Sequence, residues 1–546
     1  MKILIVGGVA GGATAATRLR RLSEENEVII FEKGQYVSFA NCGLPYHISG
    51  TIDKRDALLL QTPESLKERY NLDVRVFTEV LSINTAEKKV TVKNLQSEEI
   101  YAESYDKLLL SPGAEPIKPP FEGIDSDKIY TLRNIPDMDK IVAKTKNAQN
   151  FVVVGGGFIG LEVAENFIEA GKSVKLVELG NQVMAPVDFD IASFVHEKAK
   201  QKGLELLLNV GVEKFNDKGE TIEVFLNNGT SVETDAVILA IGVKPETKLA
   251  VEAGLEIGET RGILVNEFMQ TSNPDIYAVG DAIEVAHYIN NKKVLIPLAW
   301  PANRQGRIVA DNIVLGNQYK YTGSLGSSIL KFFELSVAST GLNEKTLKKF
   351  GIPYKTAIVT RGHHAGYYPG AKNMVLKVIF DENGKIFGAQ AVGEAGVDKR
   401  IDVIATAIKG NLTVYDLPEI EITYAPPFNS AKDPVNIAGY AAENILKGDL
   451  EMVNYDEFWD FVKENDAVIL DVRTSKEFSG GAIEGAININ VDDLRANLEK
   501  LDKNKTYAIY CQVGLRGYLA NRIMRNNGFR AVNLNGGYNL WSKVQS

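Results

Sequence analysis

The chain begins Lys2-Ile3-Leu4-Ile5-Val6-Gly7-Gly8-Val9-Ala10-Gly11-Gly12, and this stretch decides the fold of its first part. An apolar run meets a glycine-rich turn and an alanine-rich helix start, and a second apolar run, residues 28–31, ends at Glu32. This order predicts a parallel βαβ unit that holds a dinucleotide: a tight turn, helix N-terminal amides facing a pyrophosphate, and an acid for the ribose diol. Val9 stands where the fingerprint expects its second glycine, while the first and last glycines are present.

The same pattern returns near residue 150. Phe151-Val152-Val153-Val154 leads into Gly155-Gly156-Gly157-Phe158-Ile159-Gly160, and residues 174–177 end at Glu178. Two complete units, each with strand, glycines and acid, argue against a chance match. Because a carboxylate accepts a hydrogen bond from a 2′-hydroxyl and repels a 2′-phosphate, Glu178 favours NADH; Lys175 nearby keeps NADPH as the alternative.

Length and composition limit the number of domains and the classes of function that this chain can have. A length of 546 residues predicts three or four domains, and 45% hydrophobic with 24% charged residues indicates a globular chain. The formal charge of −9 argues against nucleic-acid binding. We find no signal-peptide pattern and no apolar run that would span a bilayer, so we expect a cytoplasmic protein that does not bind membranes. Five histidines without metal-ligand spacing predict no metal site.

The two cysteines, Cys42 and Cys511, exclude a disulfide framework and fit a reducing compartment. A free cysteine is usually an inert apolar residue, but both of these lie in polar loops that contain glycine. Cys511 follows an apolar run and precedes Gly514 and Arg516. Consecutive amides in such a loop can cradle an anion, and the guanidinium is expected to stabilise a thiolate.

Three further segments, residues 108–114, 237–245 and 271–282, each combine an apolar strand with a turn. In the first two the chain could cross between domains. The third closes on Asp281, which is placed either to accept a hydrogen bond from a flavin ribityl chain or to cap a helix.

With both glycine turns, Cys42 and Val279-Gly280-Asp281 in this order, about the first 445 residues resemble the flavin-dependent pyridine nucleotide–disulfide oxidoreductases. This part of the chain has a single cysteine and no C-x-x-x-x-C pair, so it is most similar to the branch that contains the coenzyme A-disulfide reductases, NADH oxidases and NADH peroxidases. The peroxidases carry a histidine in the first glycine turn, which is absent here. Ser38-Phe39-Ala40-Asn41-Cys42-Gly43 and Tyr424-Ala425-Pro426-Pro427-Phe428 match the coenzyme A enzymes instead.

The tail resembles a rhodanese domain. The matching segments are Leu470-Asp471-Val472-Arg473, Glu477-Phe478, Gly485-Ala486-Ile487-Asn488, the Cys511 loop and Asn535-Gly536-Gly537, although Ala482 replaces the usual histidine. The whole chain is similar to fused coenzyme A-disulfide reductase–rhodanese proteins, which include NADH-dependent persulfide reductases. The implied fold class is α/β, with two Rossmann-like domains, an α+β dimerisation domain and a C-terminal α/β rhodanese domain. The predicted domains are a discontinuous FAD-binding domain (1–148 and 246–325), an NAD-binding domain (149–245), a dimerisation domain (326–447) and a rhodanese domain (452–546).

The resemblance also implies roles for individual residues. The catalytic positions are Cys42, Cys511, Tyr424, Tyr367 and Arg516, with Tyr424 reaching the cysteine of the partner in a homodimer with shared active sites. The positions for FAD and NADH are Gly7, Gly8, Ala10, Gly11, Gly12, Glu32, Lys33, Ser111, Gly113, Gly155, Gly157, Phe158, Ile159, Gly160, Glu162, Glu178, Gly242, Gly280, Asp281, Pro297 and Ala299. The positions for coenzyme A are Thr14, Arg18, Arg21, Ser38, Asn41, Asn303 and Lys432.

We therefore predict an NADH-dependent flavoenzyme that reduces coenzyme A persulfide or polysulfide, and coenzyme A disulfide, through Cys42, while Cys511 handles sulfane sulfur. Its partners would be small thiols and persulfides. Three alternatives stay open: a coenzyme A-disulfide reductase with an accessory sulfurtransferase tail, an NADH oxidase, and a non-catalytic sulfur carrier or redox sensor that bears a flavin.

Overall fold

The computed structural model describes residues 1–545. It contains two compact units: the first is Met1–Val183 with Lys202–Gly326, and the second is Met184–Gln201 with Ser327–Ser546. Helix Phe189–Gln201 thus belongs to the second unit, although it lies within the stretch predicted for the NAD domain. The four predicted domain bounds stay a prediction.

The helices of both units are short to medium in length. They are α1 (Ala10–Leu22), α2 (Leu44–Ile48), α3 (Pro63–Tyr70), α4 (Ile135–Lys144), α5 (Phe158–Glu169), α6 (Phe189–Gln201), α7 (Lys248–Glu252), α8 (Ala299–Leu315), α9 (Glu344–Lys349), α10 (Val397–Lys409), α11 (Pro434–Leu446), α12 (Phe458–Glu464), α13 (Ser475–Ser479), α14 (Leu494–Asn497), α15 (Leu515–Asn526) and α16 (Gly537–Val544). Short 3-10 turns lie at Asn41–Gly43, Arg55–Leu58, Gly280–Ala282, Leu417–Glu419 and Leu498–Lys500.

Two parallel five-stranded sheets form the framework of the first unit. Its strands are β1 (Lys2–Val6), β2 (Glu27–Phe31), β3 (Asp73–Arg75), β4 (Thr78–Asn84), β5 (Lys89–Asn94), β6 (Ile100–Ser104), β7 (Lys107–Leu110), β8 (Ala114–Pro116), β9 (Ile129–Tyr130), β10 (Asn150–Val154), β11 (Ser173–Glu178), β12 (Glu205–Leu208), β13 (Val212–Asp217), β14 (Ile222–Leu226), β15 (Ser231–Thr234), β16 (Ala236–Leu239), β17 (Val243–Pro245), β18 (Ile263–Leu264), β19 (Ile276–Ala278), β20 (Ile283–Ala286) and β21 (Lys293–Val294). The two large sheets have the orders β19-β7-β1-β2-β3 and β12-β11-β10-β16-β9. Smaller sheets are β4-β5-β6, β13-β14-β15, β17-β8 and β18-β20-β21.

The central strands β1 and β10 explain why both glycine turns lie where they do. Their apolar residues are buried on both faces, as the near-continuous apolar runs of parallel strands require. Each strand pairs in parallel on both sides, β1 with β2 and β7, and β10 with β11 and β16. Each glycine turn therefore leaves the carboxyl end of a central strand, where ligands of open α/β sheets bind.

The second unit contains an antiparallel and a parallel sheet. Its strands are β22 (Ser328–Phe332), β23 (Leu335–Gly341), β24 (Lys355–Gly362), β25 (Asn373–Phe380), β26 (Ile386–Gly393), β27 (Met452–Val453), β28 (Val468–Asp471), β29 (Ile487–Asn488), β30 (Thr506–Tyr510) and β31 (Arg530–Leu534). The antiparallel order β22-β23-β26-β25-β24 leaves β24 at an edge, and the parallel order β27-β31-β30-β28-β29 places β30 at the centre.

The predicted fold class is confirmed: two parallel α/β sheets, a sheet-and-helix dimerisation layer and a C-terminal α/β domain. Among residues 1–545, no helix has both the length and the apolar character needed to cross a membrane.

Candidate active site

The two glycine turns are built alike. Gly7 and Gly155 take positive φ angles of 95° and 107°, which favour glycine. A Cβ on Gly12 would lie 1.9 Å from the carbonyl oxygen of Gly7, and a Cβ on Gly160 would lie 1.9 Å from that of Gly155. Glycine is therefore required for each helix to approach its turn this closely.

The helices that follow these turns carry no capping side chain. Neither Val9 before α1 nor Gly157 before α5 caps its helix through a side chain, and neither first turn contains an acid. A Cβ built on Gly157 would meet no atom within 4 Å, so the space in front of α5 is open. Uncapped amides facing open space are a suitable anion site, and at α5 the residues present fit a bound pyrophosphate; α1 shares the uncapped start.

The acids at the ends of the second strands are held by main-chain amides. Glu32 accepts hydrogen bonds from the amides of Gly8 (3.0 Å) and Gly34 (2.8 Å). Glu178 accepts them from Gly156 and Gly180, both at 2.7 Å. Each carboxylate thereby lies beside its glycine turn, as the predicted ribose contact requires.

Two lysines near these acids are engaged elsewhere. Lys33, predicted to contact FAD, is exposed, and its ammonium lies 2.7 Å from Glu79. Lys175 pairs with Glu205 at 2.9 Å. The ammonium of Lys175 is therefore directed to the neighbouring strand β12.

Cys42 lies in the 3-10 turn directly before α2 and is exposed. Its sulfur lies 3.9 Å from Oδ1 of Asn41. Partial desolvation by the surrounding loops raises the pKa of the Cys42 thiol, and the carboxylates of Glu162 and Asp281 raise it further. In this environment the thiol needs hydrogen-bond donors or a positive charge to become a thiolate.

Glu162 is the carboxyl group that faces this site from α5. Burial raises its pKa to about 7, and Glu165 adds to the rise. Tyr46 on α2 donates a hydrogen bond to Oε1 of Glu162 at 3.4 Å. Burial and these acids also raise the pKa of Tyr46, so its hydroxyl keeps its proton at neutral pH.

Asp281 lies in the 3-10 turn after β19 rather than at a helix cap, because the residue before that turn is Val279. Burial raises the pKa of the Asp281 carboxyl, which Arg133 partly opposes. The amide of Gly280 donates to Gln305 on α8 at 2.8 Å. The remaining predicted cofactor residues lie in the first turns of helices (Ala10 and Gly11 in α1, Phe158 and Ile159 in α5, Ala299 in α8) or in loops (Gly8, Ser111, Gly113, Gly242 and Pro297).

Helices α1 and α8 bring several predicted coenzyme A residues together. Thr14 donates to Oδ1 of Asn303 at 2.5 Å, and Arg18 pairs with the buried Asp311 at 2.7 Å. Arg21, one turn further along α1, is exposed. The other predicted members lie elsewhere: Ser38 and Asn41 next to Cys42, and Lys432 exposed in the second unit.

The predicted tyrosines form a pair in the second unit. The hydroxyl groups of Tyr367 and Tyr424 lie 2.8 Å apart, and this contact raises the pKa of Tyr367. Tyr367 is 75% exposed, and Phe428 beside this segment is 72% exposed. Large aromatic groups exposed in this way are typical of protein interfaces.

Cys511 lies at the carboxyl end of β30 and is fully buried. The amide of Gly514 donates to its sulfur at 3.1 Å. Its carbonyl accepts a hydrogen bond from the amide of Tyr538 at 2.8 Å, and Gly537 passes so close that a Cβ there would lie 2.6 Å from the Cys511 oxygen. The main chain at Cys511 is therefore fixed by residues 537 and 538, while the amide of Gly514 points toward the sulfur.

Arg516 faces an acid as well as this loop. Its two terminal nitrogens donate to Glu477 at 2.8 and 2.6 Å, which lowers the pKa of Glu477 to about 2. These bonds raise the pKa of Arg516, and the nearby Cys511 contributes to the rise. Arg516 thus lies within electrostatic reach of the Cys511 sulfur, and part of its charge is balanced by Glu477.

Sequence reasoning missed several of these partners. Tyr46, Arg133 and Asp311 are separated by tens to hundreds of residues from the groups they face, and no local motif marks them. Glu477 lies within a quoted rhodanese segment, which was the available signal for its contact with Arg516.

One cluster of acids could suggest a metal ion. The carboxylates of Asp188, Asp190 and Glu344 lie close together in the second unit. The buried ammonium of Lys377 contacts all three, at 3.2 Å from Asp188 and 2.8 Å from Asp190. This lysine occupies the cation position, and the cluster is an ion-pair network.

Three family descriptions match the chain. They are the pyridine nucleotide-disulphide oxidoreductase over residues 1–306, its dimerisation domain over residues 327–434 and a rhodanese-like domain over residues 454–544. The coenzyme A disulfide reductase of Staphylococcus haemolyticus is 38% identical over 447 residues, which cover 81% of this chain and 100% of that protein.

Two solved structures are similar along nearly the whole length. Reduced CoADR-RHD from Bacillus anthracis has 51% sequence identity and a TM-score of 0.97, covering 100% of this chain and 98% of its own. A NAD-dependent persulfide reductase from A. fulgidus has 35% identity and a TM-score of 0.94, covering 99% of this chain and 100% of its own.

Proposed function

This chain belongs to the pyridine nucleotide-disulphide oxidoreductase family, and we propose that it reduces coenzyme A persulfide or polysulfide, and coenzyme A disulfide, through Cys42 with NADH. Membership makes it an FAD-dependent oxidoreductase that uses a nicotinamide nucleotide. The observation that carries the proposal is Cys42, an exposed sulfur in the unit that holds two uncapped glycine turns.

The cofactors would be held by the two turns. Gly7, Gly12 and Glu32 would hold FAD, and Gly155, Gly160 and Glu178 would hold the nicotinamide nucleotide. When bound, this pair supplies the two electrons that return Cys42 to the thiolate. The carboxylate of Glu178 favours NADH over NADPH. Lys175, on the same strand, pairs with Glu205, so its ammonium is not directed toward a 2′-phosphate.

Cys42 would act as the nucleophile. Its thiolate attacks the acceptor at the sulfur atom that belongs to coenzyme A, so that a Cys42–coenzyme A disulfide forms. The leaving group is hydrosulfide when the acceptor is the persulfide, and coenzyme A thiolate when the acceptor is the disulfide. Two electrons and one proton then cleave the mixed disulfide and release coenzyme A. Thr14, Arg18, Arg21, Ser38, Asn41, Asn303 and Lys432 are the proposed contacts to coenzyme A.

The tyrosine pair would stabilise the Cys42 thiolate across a homodimer interface. Tyr424 of one subunit donates to the sulfur of the other, and Tyr367 donates to Tyr424. A hydrogen bond to the charged form lowers the pKa of a thiol, which opposes the rise that partial burial, Glu162 and Asp281 cause at Cys42. The exposed aromatic groups of this segment and the match to the dimerisation domain support this arrangement.

Cys511 would bind sulfane sulfur as a persulfide and transfer it to coenzyme A. The amide of Gly514 already donates to its sulfur, and Arg516 adds positive charge nearby. The thiol of coenzyme A would accept the outer sulfur from the Cys511 persulfide, and Cys511 would leave as a thiolate.

The test is anaerobic NADH oxidation with coenzyme A persulfide and, separately, with coenzyme A disulfide. We expect persulfide to be preferred, Cys42→Ser to abolish hydrosulfide release, and Cys511→Ser to lower turnover when a sulfane donor and coenzyme A replace the preformed persulfide. Hydrosulfide release that is unchanged in Cys42→Ser would overturn the mechanism. If the enzyme prefers the disulfide and Cys511→Ser leaves turnover unchanged, the protein is a coenzyme A-disulfide reductase with an independent sulfurtransferase tail.

A further inference from the structure

We propose that Arg400 is a positioning residue for the acceptor step: together with Asn429 and Asp433 it holds the two tyrosine-bearing segments and the Lys432 segment in one arrangement. This inference rests on the proposed function. Arg400 lies on α10, belongs to no recognised sequence motif and is 1% exposed.

The guanidinium of Arg400 binds three residues on two stretches of chain, one at His363 and the other at residues 429–433. It donates to the carboxylate of Asp433 at 2.8 and 3.1 Å, to the carbonyl of His363 at 2.8 Å and to Oδ1 of Asn429 at 3.0 Å. A further bond, 3.2 Å long, goes to the carbonyl of Gly396, four residues earlier in the chain. The planar fork spreads five N–H groups over three nitrogens, and the three acceptors of Nη2 share the two hydrogens of that atom, whereas an ammonium group offers only three donors from one atom.

Asn429 connects this fork to both tyrosines. Its side-chain amide donates to the carbonyl of Thr423, the residue before Tyr424, at 3.3 Å. Its main-chain carbonyl accepts the amide of Ala365 at 3.0 Å, and Ala365 lies two residues before Tyr367. Asn429 is completely buried. Movement of this one residue would therefore shift both partners of the Tyr367–Tyr424 hydrogen bond.

Asp433 connects the fork to the proposed coenzyme A contact. It follows Lys432 directly, is 1% exposed and caps α11 by accepting the amide of Val435 at 2.9 Å. Asn436 on the first turn of α11 accepts the amide of Asp433 at 3.0 Å. The main chain at Lys432 is thereby fixed by a buried pair, while its side chain stays exposed.

The role is positioning because Arg400 contacts no proposed reacting atom. Its effect would pass through the placement of two exposed tyrosines, and a displacement of about 1 Å in such groups costs up to roughly a hundredfold in rate. A merely structural role would instead affect every step of the enzyme to a similar degree.

The experiment compares Arg400→Lys with Tyr424→Phe, the double variant and the control Arg75→Lys in the full-length holoenzyme. Arg75 also donates several hydrogen bonds, to Asp73, Tyr101 and Glu103, but it lies on β3 of the first unit. The measurements are the rate of flavin reduction by NADH, the rate of reoxidation by coenzyme A disulfide, and hydrogen exchange at the amides of Ala365 and Tyr368. Asn429→Ala is the second variant if Arg400→Lys does not fold.

We expect Arg400→Lys to slow reoxidation roughly tenfold or more while flavin reduction changes by less than about twofold. In the Tyr424→Phe background the same substitution should slow reoxidation by no more than about twofold, because its effect passes through Tyr424. Ala365 and Tyr368 should exchange faster in Arg400→Lys and at the wild-type rate in Arg75→Lys. An equal loss in both backgrounds, or unchanged exchange at these amides, would overturn the inference. A wild-type enzyme that reduces no coenzyme A acceptor would instead overturn the proposed function, while the exchange result would still decide the role of Arg400.

Discussion

Burial gives Glu162 a chemistry that its sequence context does not reveal. Its pKa rises to about 7, so the folded chain keeps this proton at a pH where an exposed glutamate has lost it. Below the ordinary glutamate range both the folded and unfolded chains are protonated, and the carboxyl has no net effect on stability. Between the ordinary glutamate range and about pH 7 the unfolded chain releases this proton while the folded chain keeps it, so stability falls over that window and the loss is complete above it.

Glu162→Gln should therefore stabilise the protein at pH 8 by on the order of 2 kcal/mol and have little effect near pH 5. The amide keeps an oxygen that accepts the hydrogen bond of Tyr46 but carries no charge. Thermal unfolding of both proteins at the two pH values measures the difference. An equal gain at pH 5 and pH 8 would contradict a titration effect.

At the scale of elements, each glycine turn depends on how closely its helix approaches. Gly160→Ala would place a Cβ 1.9 Å from the carbonyl oxygen of Gly155, so α5 must shift away from its turn. We expect a lower Tm and loss of flavin reduction by NADH, while FAD remains bound at the first turn. Absorbance of the flavin and its rate of reduction by NADH check both statements.

Gly157→Ala is the matched control at the start of the same helix. Its Cβ would meet no atom of the chain within 4 Å, so the Tm should stay at the wild-type value. The added methyl group would occupy the space in front of α5, and the KM for NADH should rise. Equal Tm losses in the two variants would show that the close approach at Gly160 does not set the geometry of the turn.

At the scale of the whole molecule, the C-terminal domain covers the edge of the antiparallel sheet through Asn535. Its Oδ1 accepts the amide of Ile358 at 3.2 Å, and its side-chain amide donates to the carbonyl of Thr356 at 3.3 Å. This is the pairing that a neighbouring strand would make with edge strand β24. An uncovered edge strand favours aggregation, so the contact protects the sheet as well as the domain.

Asn535→Ala should destabilise the protein by about 1–3 kcal/mol, because it leaves buried main-chain groups of β24 without partners. Faster hydrogen exchange at the amide of Ile358 and a lower Tm are the expected results. Asn521→Ala is the control, since Asn521 donates to Ala531 within the C-terminal domain at 2.8 Å. It should lower the Tm without changing exchange at Ile358; faster exchange there in both variants would mean that Asn535 does not act locally.

Local patterns were sufficient for the two dinucleotide turns and for the acids that follow them. An apolar strand, a glycine turn and an acid lie within about thirty residues, and short-range geometry alone brings them together. The resemblance then pointed to Cys42, Cys511 and the two tyrosines, and the structure places Tyr367 and Tyr424 in contact. The assignment of Cys42 and Cys511 to chemistry stays a prediction that the experiments above address.

The partners that set the environment of these residues came only from the folded chain. Tyr46 faces Glu162 across 116 positions, and Asn535 meets Ile358 across 177. Arg400 on α10 binds His363, 37 positions away, and Asn429 and Asp433, 29 and 33 positions away. A local sequence pattern reflects backbone preferences and the spacing of buried residues, so it predicts strands, turns and helix starts. The pKa of a carboxyl or the position of a tyrosine depends on desolvation and hydrogen bonds from distant segments, and these exist only after the sheets have packed.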